Sequence, residues 1–257
     1  MSVDLAKTFD GVAALYNAVR PTYPADLIDR VSVAVPAGGR ILEIGCGTGQ
    51  ATAAFARKGY EIVGLEPGPN LANLAMKNLT PYPNVTIVQK TFEDYPLEAR
   101  SFDLVMSATA FHWVDPHVRY RKPAQALKDG GHLAVFWNMP ADQDDKVSRD
   151  IQAEYEIWKN TSSDPAKNEP LKVRIGRWQD EIAHSKFFAA LKVVQFPWSQ
   201  QYDIKTYLQL LDTYSDHIAL EPERRRGLYD GITRAIERNG GSFEKKYVAA
   251  LFMARKS

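Results

Sequence analysis

The sequence predicts a doubly wound α/β fold, a mostly parallel sheet with a helical lid inserted in its C-terminal half. Three observations carry this expectation. Five short apolar runs punctuate the first half, helical segments separate them, and the first run ends in a glycine-rich turn. Strands that are apolar on both faces need cover on both, and parallel neighbours need a crossover helix between them.

The elements follow in order. Arg40–Gly45 (RILEIG) reads as a buried strand, with a helix from Gln50 to Lys58 behind the glycines. Glu61–Glu66 (EIVGLE) is the next strand and Asn70–Leu79 the next helix. Val85–Gln89, Phe102–Ser107 and His132–Asn138 complete the five apolar runs. From Asp142 to Ala189 the pattern is polar with helical spacing, broken by a loop at Thr161–Pro170. Leu191–Trp198 looks like a strand, Ile204–Leu211 and Pro222–Asn239 like helices, and Lys246–Ala254 like a last strand after Gly240-Gly241-Ser242. Residues 1–140 are therefore expected as an α/β core. Residues 141–257 are expected as a helical cover plus the last two strands of the same sheet.

Charge excludes one class of partner. The chain has 257 residues with 32 Lys plus Arg against 31 Asp plus Glu, a net charge of +1. Residues 1–140 carry 13 of each sign, leaving 19 basic and 18 acidic for the rest. A nucleic-acid binder needs a concentrated basic field to neutralise phosphate, and none is visible. Arg224-Arg225-Arg226 is the only basic run and reads as a solvated helix face. A single cysteine, Cys46, rules out an internal disulfide. Met1–Asp10 has no basic segment followed by an apolar core. The apolar run Leu104–Val114 is too short to span a bilayer. The expected protein is cytoplasmic, off the membrane, and a monomer or homodimer.

The segment Ile41–Gln50 (ILEIGCGTGQ) decides the ligand class. A dinucleotide fingerprint, G-x-G-x-x-G, would place its third glycine at position 50, where this chain has Gln50. The glycines instead stand at Gly45, Gly47 and Gly49, with acidic Glu43 two residues ahead. About twenty residues on, Glu66 ends the second strand, where a carboxylate can accept from both hydroxyls of a ribose. A bare strand–helix turn needs the same glycines. The carboxylate at this spacing is what favours a nucleoside.

With these residues the sequence resembles the class I S-adenosylmethionine-dependent methyltransferases over about residues 8–140. The motifs are ILEIGCGTGQ, VGLEPGPN, KTFEDYPL and FDLVMSATAFHWVD. The segments YNAVRPTYP (Tyr16–Pro24) and FHWVD (Phe111–Asp115) are similar to the small-molecule branch related to trans-aconitate methyltransferase. The resemblance implies S-adenosyl-L-methionine as cofactor, with Gly45, Gly47 and Gly49 along its methionine part and Glu66 on its ribose. Phe92 would meet adenine through its backbone amide. Relatives carry an Asp where this chain has Thr91, and Glu93 is the expected substitute. Ser107 would border the methionine, and Tyr16 and Arg20 would fold over its carboxylate. A surface ion pair of Arg20 with Asp26 or Asp29 is the other reading of that arginine.

A sulfonium methyl is already electrophilic, so the protein must chiefly align an acceptor and exclude water. The implied acceptor is a small acidic or phenolic metabolite methylated at oxygen. His112 is the candidate catalytic base, since imidazole titrates near neutrality; alternatively it only positions its loop, over Trp113. Trp113 and Trp137 are candidates for acceptor contact, with Trp178, Trp198, Tyr207 and Tyr214 as further aromatics and Arg174 and Arg177 as cations for an anionic group. No metal is expected, because His112, His117 and His132 are not spaced as ligands. A nicotinamide-dependent oxidoreductase and a non-catalytic S-adenosylmethionine-binding protein remain the alternatives.

Overall fold

The computed structural model describes residues 9–158 and 169–257. It contains a seven-stranded sheet in the order β3-β2-β1-β4-β5-β7-β6. The strands are β1 (Arg40–Ile44), β2 (Glu61–Leu65), β3 (Val85–Val88), β4 (Phe102–Ala108), β5 (Leu127–Pro140), β6 (Phe188–Asp203) and β7 (Ser242–Lys256). Strands β1 with β2, β1 with β4, β2 with β3 and β4 with β5 pair in parallel. The expected α/β fold is therefore present. The loop expected at Thr161–Pro170 lies outside the described residues except for its last two positions.

The chain divides into two compact units, one of residues 21–138, 175–196 and 249–257, the other of 1–20, 139–174 and 197–248. The first unit holds β1 to β4. Ile41 and Leu42 in β1 and Leu104, Val105 and Met106 in β4 are buried, which their apolar runs require. Its helices are α2 (Ala25–Ser32), α3 (Gln50–Ala56), α4 (Pro69–Asn78) and α5 (Arg121–Ala126). Strand order reverses beside β1, since β2 and β4 flank it on opposite sides, and the carboxyl end of such a strand is where open α/β sheets bind ligands.

The second unit is built on α1 (Ala13–Val19), α6 (Lys146–Trp158), α8 (Ile204–Leu211), α9 (Ser215–Ile218) and α10 (Pro222–Arg238). Its core gathers Ile151, Tyr202, Tyr207, Leu210, Leu211, Leu228, Ile232, Ile236, Phe243 and Tyr247. Helices α6 and α10 pack together because α10 offers Gly227 and Gly231 on one face. A Cβ at those positions would meet the side chains of Trp158 and Glu154. Helix α8 begins on a capping box, in which Asp203 accepts from the Thr206 amide at 2.7 Å. Helix α7 (Leu171–His184) crosses the division, with Ile175 onward in the sheet unit.

Candidate active site

Strand β1 ends where its neighbours are tied to it. The Ser107 hydroxyl of β4 donates to the Ile44 carbonyl at 2.8 Å, and the Cys46 amide bonds the Leu65 carbonyl of β2 at 2.9 Å. The chain then turns through Gly45 (φ +70°) and Gly49 (φ +87°), the latter capping α3. L-residues with a side chain rarely adopt such angles. A Cβ on Gly45 would also collide with Ala110, and one on Gly49 would lie 2.7 Å from Leu79 Cδ1. Glycine is thus required twice over at Gly45 and by its backbone angle at Gly49, where the Leu79 side chain could shift. Asn78, at the end of α4, pins the loop by donating to the Thr48 carbonyl at 2.9 Å.

Glu66 joins this loop to the next. Its Oε2 accepts the Gly47 amide and its Oε1 the Gly68 amide, each at 2.9 Å. The side chain is buried, at 6% exposure, so it is not the solvated strand end a lone carboxylate would suggest. Glu43 sits beneath. Its Oε2 accepts from Thr52 Oγ1 at 2.6 Å, while Glu43 Oε1 and Thr48 Oγ1 are buried with no hydrogen-bond partner. Burial pushes the Glu43 carboxyl up to about 7, opposed by the Thr52 bond and reinforced by the charge of Glu66.

Past β3, the segment 91–95 is held by Lys122 of α5. Its ammonium donates to the carbonyls of Phe92 at 2.5 Å and of Glu93 and Tyr95 at 2.8 Å, with Nζ 5.1 Å from the centroid of the Phe92 ring. Phe92 is buried. Its backbone N–H makes no hydrogen bond among the described residues, leaving a donor aimed by a fixed loop. Thr91 and Asp94 satisfy each other: the Thr91 hydroxyl donates to Asp94 Oδ2 at 2.9 Å and accepts the Asp94 amide at 3.1 Å. The Glu93 carboxylate accepts the Asp115 amide at 2.8 Å, which joins this segment to the loop after β4.

That loop carries the other candidates. Phe111–Trp113 is a short 3-10 turn; the His112 ring stands 4.8 Å from that of Trp113. Trp137 Nε1 donates to His112 Nδ1 at 3.4 Å. Indole N–H can only donate, so Nδ1 is the acceptor and the neutral ring carries its hydrogen on Nε2. Trp137 in turn stacks on Trp178 of α7, with centroids 4.4 Å apart and planes at 24°. Arg119, buried to 9% exposure, donates to the His112 and Val114 carbonyls, pairs with Glu181 of α7 at 2.7 Å and lies over Trp178.

Sequence reasoning missed three members of this unit. Lys122 and Arg119 act on backbone carbonyls, and nothing in spacing announces that. Tyr23, of the PTYP segment, shares a 2.6 Å hydrogen bond with Thr109 Oγ1 and packs edge-on to Phe136 at 4.8 Å. Thr109 itself has φ +58°, a left-handed residue directly after β4, of the kind that concentrates at functional sites.

Tyr16 and Arg20 belong to the helical unit. The Arg20 guanidinium donates to Thr213 Oγ1 at 2.8 Å and to the Thr213 carbonyl at 2.6 Å, and it stacks over Tyr16 and Tyr214 at 4.9 and 4.4 Å. Asp29, one of its expected partners, pairs with Lys58 at 2.6 Å. Trp198 stacks on Tyr247 at 4.6 Å in the same unit. Arg174 donates to the Glu169 and Pro140 carbonyls, and Arg177 is exposed. Among the described residues no three His, Cys, Asp or Glu side chains gather as a metal site, and no helix is long and apolar enough to cross a membrane.

Comparison with known proteins adds a family match. Residues 42–135 match the family described as a methyltransferase domain. An uncharacterized methyltransferase of Mycobacterium tuberculosis is 33% identical over 52% of this chain and 54% of its own length. The chain thus spans about half the length of the first curated relatives it matches. An uncharacterized methyltransferase-like protein of Schizosaccharomyces pombe is 29% identical over 92% of this chain and 89% of its own. Among solved structures, a candidate type II methyltransferase from Anaeromyxobacter dehalogenans superposes with TM-score 0.68 at 22% identity, covering 92% of this chain and 97% of that one. The phosphoethanolamine N-methyltransferase 2 of Haemonchus contortus, in complex with S-adenosyl-L-methionine, does so at 0.56 and 18%, covering 96% and 57%. The [4+2]-cyclase SpnF does so at 0.59 and 17%, covering 100% and 97%. At these identities the likeness is one of fold.

Proposed function

We propose that this chain is an S-adenosylmethionine-dependent methyltransferase acting on a small acidic or phenolic acceptor at oxygen. The observation that carries the reading is Glu66, a buried carboxylate at the end of β2 that fastens the Gly47 and Gly68 amides beside the glycine turn. It stands inside the segment that matches the methyltransferase domain. The donor set suits such a cofactor. Glu66 receives ribose hydroxyls, the Phe92 N–H donates to adenine, and the unpartnered Glu43 Oε1 and Thr48 Oγ1 line the loop assigned to the methionine part. Gly45, Gly47 and Gly49 let the backbone approach the ligand, and Ser107 keeps the ends of β1 and β4 together behind it. Thr91 and Glu93 hold the shape of their loops and make no base contact in this reading, since Asp94 and the Asp115 amide engage them.

Bound there, S-adenosylmethionine supplies an electrophilic methyl group. The chain's own residues then align the acceptor and keep water away. His112, with its hydrogen on Nε2, donates a hydrogen bond to the acceptor and orients it. Trp113 and the Trp137–Trp178 stack form apolar wall. An ionised carboxylate or phenolate needs no base, which suits a histidine whose Nδ1 is engaged by an indole.

Calorimetric titration tests the cofactor. S-adenosylhomocysteine should bind and NAD should not; tighter binding of NAD would refute the proposal. In Glu66→Ala, S-adenosylhomocysteine affinity should fall by about 2–4 kcal/mol, two charge-assisted hydrogen bonds. Unliganded stability should fall too, because two amides lose their acceptor. Tritiated methyl transfer into a metabolite extract tests the acceptor. Label appearing only in macromolecules would end the small-molecule reading.

A further inference from the structure

A buried cation of the sheet unit is turned onto the backbone around His112. Arg119, just ahead of α5, is 9% exposed. Its Nε and Nη2 donate to the Val114 carbonyl at 3.1 and 2.8 Å, and Nη2 donates to the His112 carbonyl at 3.2 Å. Nη1 pairs with Glu181 of α7 at 2.7 Å, which supplies the counter-charge that a buried guanidinium requires. The planar fork of arginine is what lets one side chain hold two carbonyls and a carboxylate together.

The same guanidinium also bears on the His112 ring, through two indoles. Its Cζ lies 5.7 Å from the centroid of Trp178, within the range of a cation over a ring face. Trp178 stacks on Trp137 at 4.4 Å and lies 6.3 Å from the ring of Phe111, the first residue of the turn. Trp137, buried at 6% exposure, then donates its indole N–H to His112 Nδ1 at 3.4 Å. The contacts close a circuit from Arg119 to the His112 main chain and, by way of Trp178 and Trp137, to the His112 ring. Every member lies in the sheet unit. An imidazole on a short 3-10 turn has side-chain rotamers and two neutral tautomers open to it. A tie to the main chain fixes neither of these. The indole donor fixes both, and Arg119 and Trp178 fix the indole.

We propose that Arg119 is a positioning residue for methyl transfer, setting the orientation in which His112 presents its Nε2 hydrogen to the acceptor. The role rests on the reading of His112 as an orienting donor given above. Lysine at this position keeps the charge and loses the fork, so it should not replace arginine. Trp178→Leu opens the circuit at a second point, on a half-buried side chain, and leaves the ion pair with Glu181 in place.

The experiment records 15N spectra of the full chain labelled at histidine, near pH 8, where an ordinary imidazole is neutral. The His112 resonances are assigned by their loss in His112→Ala. Wild type should show hydrogen on Nε2 and a bare, hydrogen-bonded Nδ1, whereas Arg119→Lys and Trp178→Leu should move the ring toward a mixture of tautomers. If Arg119→Lys does not fold, the wild-type ring and Trp178→Leu still decide the matter. Tritiated methyl transfer into the metabolite extract supplies the second readout. Each substitution should lower transfer, by no more than His112→Ala does. Placed in the His112→Ala background, each should cost less than about twofold further, because its effect passes through the missing ring. A wild-type ring without hydrogen on Nε2 overturns the proposal, as does a ring unaltered in both variants. So does a loss of transfer that persists in full once His112 is gone, which marks Arg119 as support for the fold alone. The spectra need no turnover. An unaltered ring refutes the role of Arg119 while small-molecule transfer stands, and label confined to macromolecules refutes the acceptor reading while the dependence of the ring on Arg119 stands.

Discussion

The two compact units hold their inward-facing charge in different ways. In the sheet unit, Glu43 and Glu66 lie under the glycine loop at 0% and 6% exposure. In the helical unit, Arg20 and Lys245 lie among tyrosines. The acidic pair is wired into the backbone, with Glu66 holding two amides, whereas Lys245 rests on ring faces alone. Backbone-wired charge is fixed by the fold and tolerates one ligand shape. Charge resting on side chains can change its ligand by substitution, without disturbing a strand or a turn. Within each unit, then, charge is held in place by a different kind of support.

Four substitutions would break or sharpen this contrast. The largest effect is expected from Gly45→Val, which forces a β-branched residue into a left-handed conformation and against Ala110. Chemical denaturation should reveal a loss of about 4 kcal/mol, or no folded protein. Wild-type-like stability would mean the loop is softer than its ties suggest. Next is Leu228→Ala in α10, fully buried in the helical core, with a loss of about 3 kcal/mol. S-adenosylhomocysteine affinity is expected to stay within threefold. A large loss of affinity would show that the acidic site depends on the helical core.

Glu43→Gln comes third and is read through pH. Since the folded carboxyl is raised to about 7 from 4.5, its contribution to stability is fully present below pH 4.5 and lost as pH rises through 7. Wild type should therefore lose up to about 3 kcal/mol across that window relative to Glu43→Gln, which carries no titrating group there. Melting temperatures of the two proteins that run parallel from pH 4 upward would disprove the burial argument. The smallest effect is that of His112→Ala. As an orienting donor it should cost less than about tenfold in kcat and leave the pH profile unchanged, while a general base would cost on the order of a hundredfold or more.

The sequence spoke clearly where the backbone makes the demands. Gly45, Gly47, Gly49 and Glu66 are legible because a left-handed turn and a strand-end acid recur at fixed spacing. Strands β1 to β4 match their apolar runs to within a residue or two at each end. Strand β5 begins at Leu127 and not at His132, because Lys128-Asp129-Gly130-Gly131 looks like a turn while β4 still pairs with it, Phe102 against Leu127. Strand β6 runs Phe188–Asp203, well beyond Leu191–Trp198; residues 199–201 are polar and exposed, which hides its C-terminal part. Helices α1 and α2, ahead of the first predicted strand, carried no expectation either. What stayed hidden in the sites has one cause. Lys122 reaches back to residue 92, Arg119 forward to 181, Arg20 forward to 213, and only a folded chain brings such distant residues together.

The carboxylate of Glu66 has a consequence in time. Its two bonds to Gly47 and Gly68 set the loop before any ligand arrives, so no slow ordering step is needed at that end of the site. Stopped-flow association of S-adenosylhomocysteine should therefore be a single phase whose rate rises linearly with concentration, without the plateau that a rate-limiting rearrangement imposes. In Glu66→Ala the loop would have to find its shape on each encounter, and the plateau should appear.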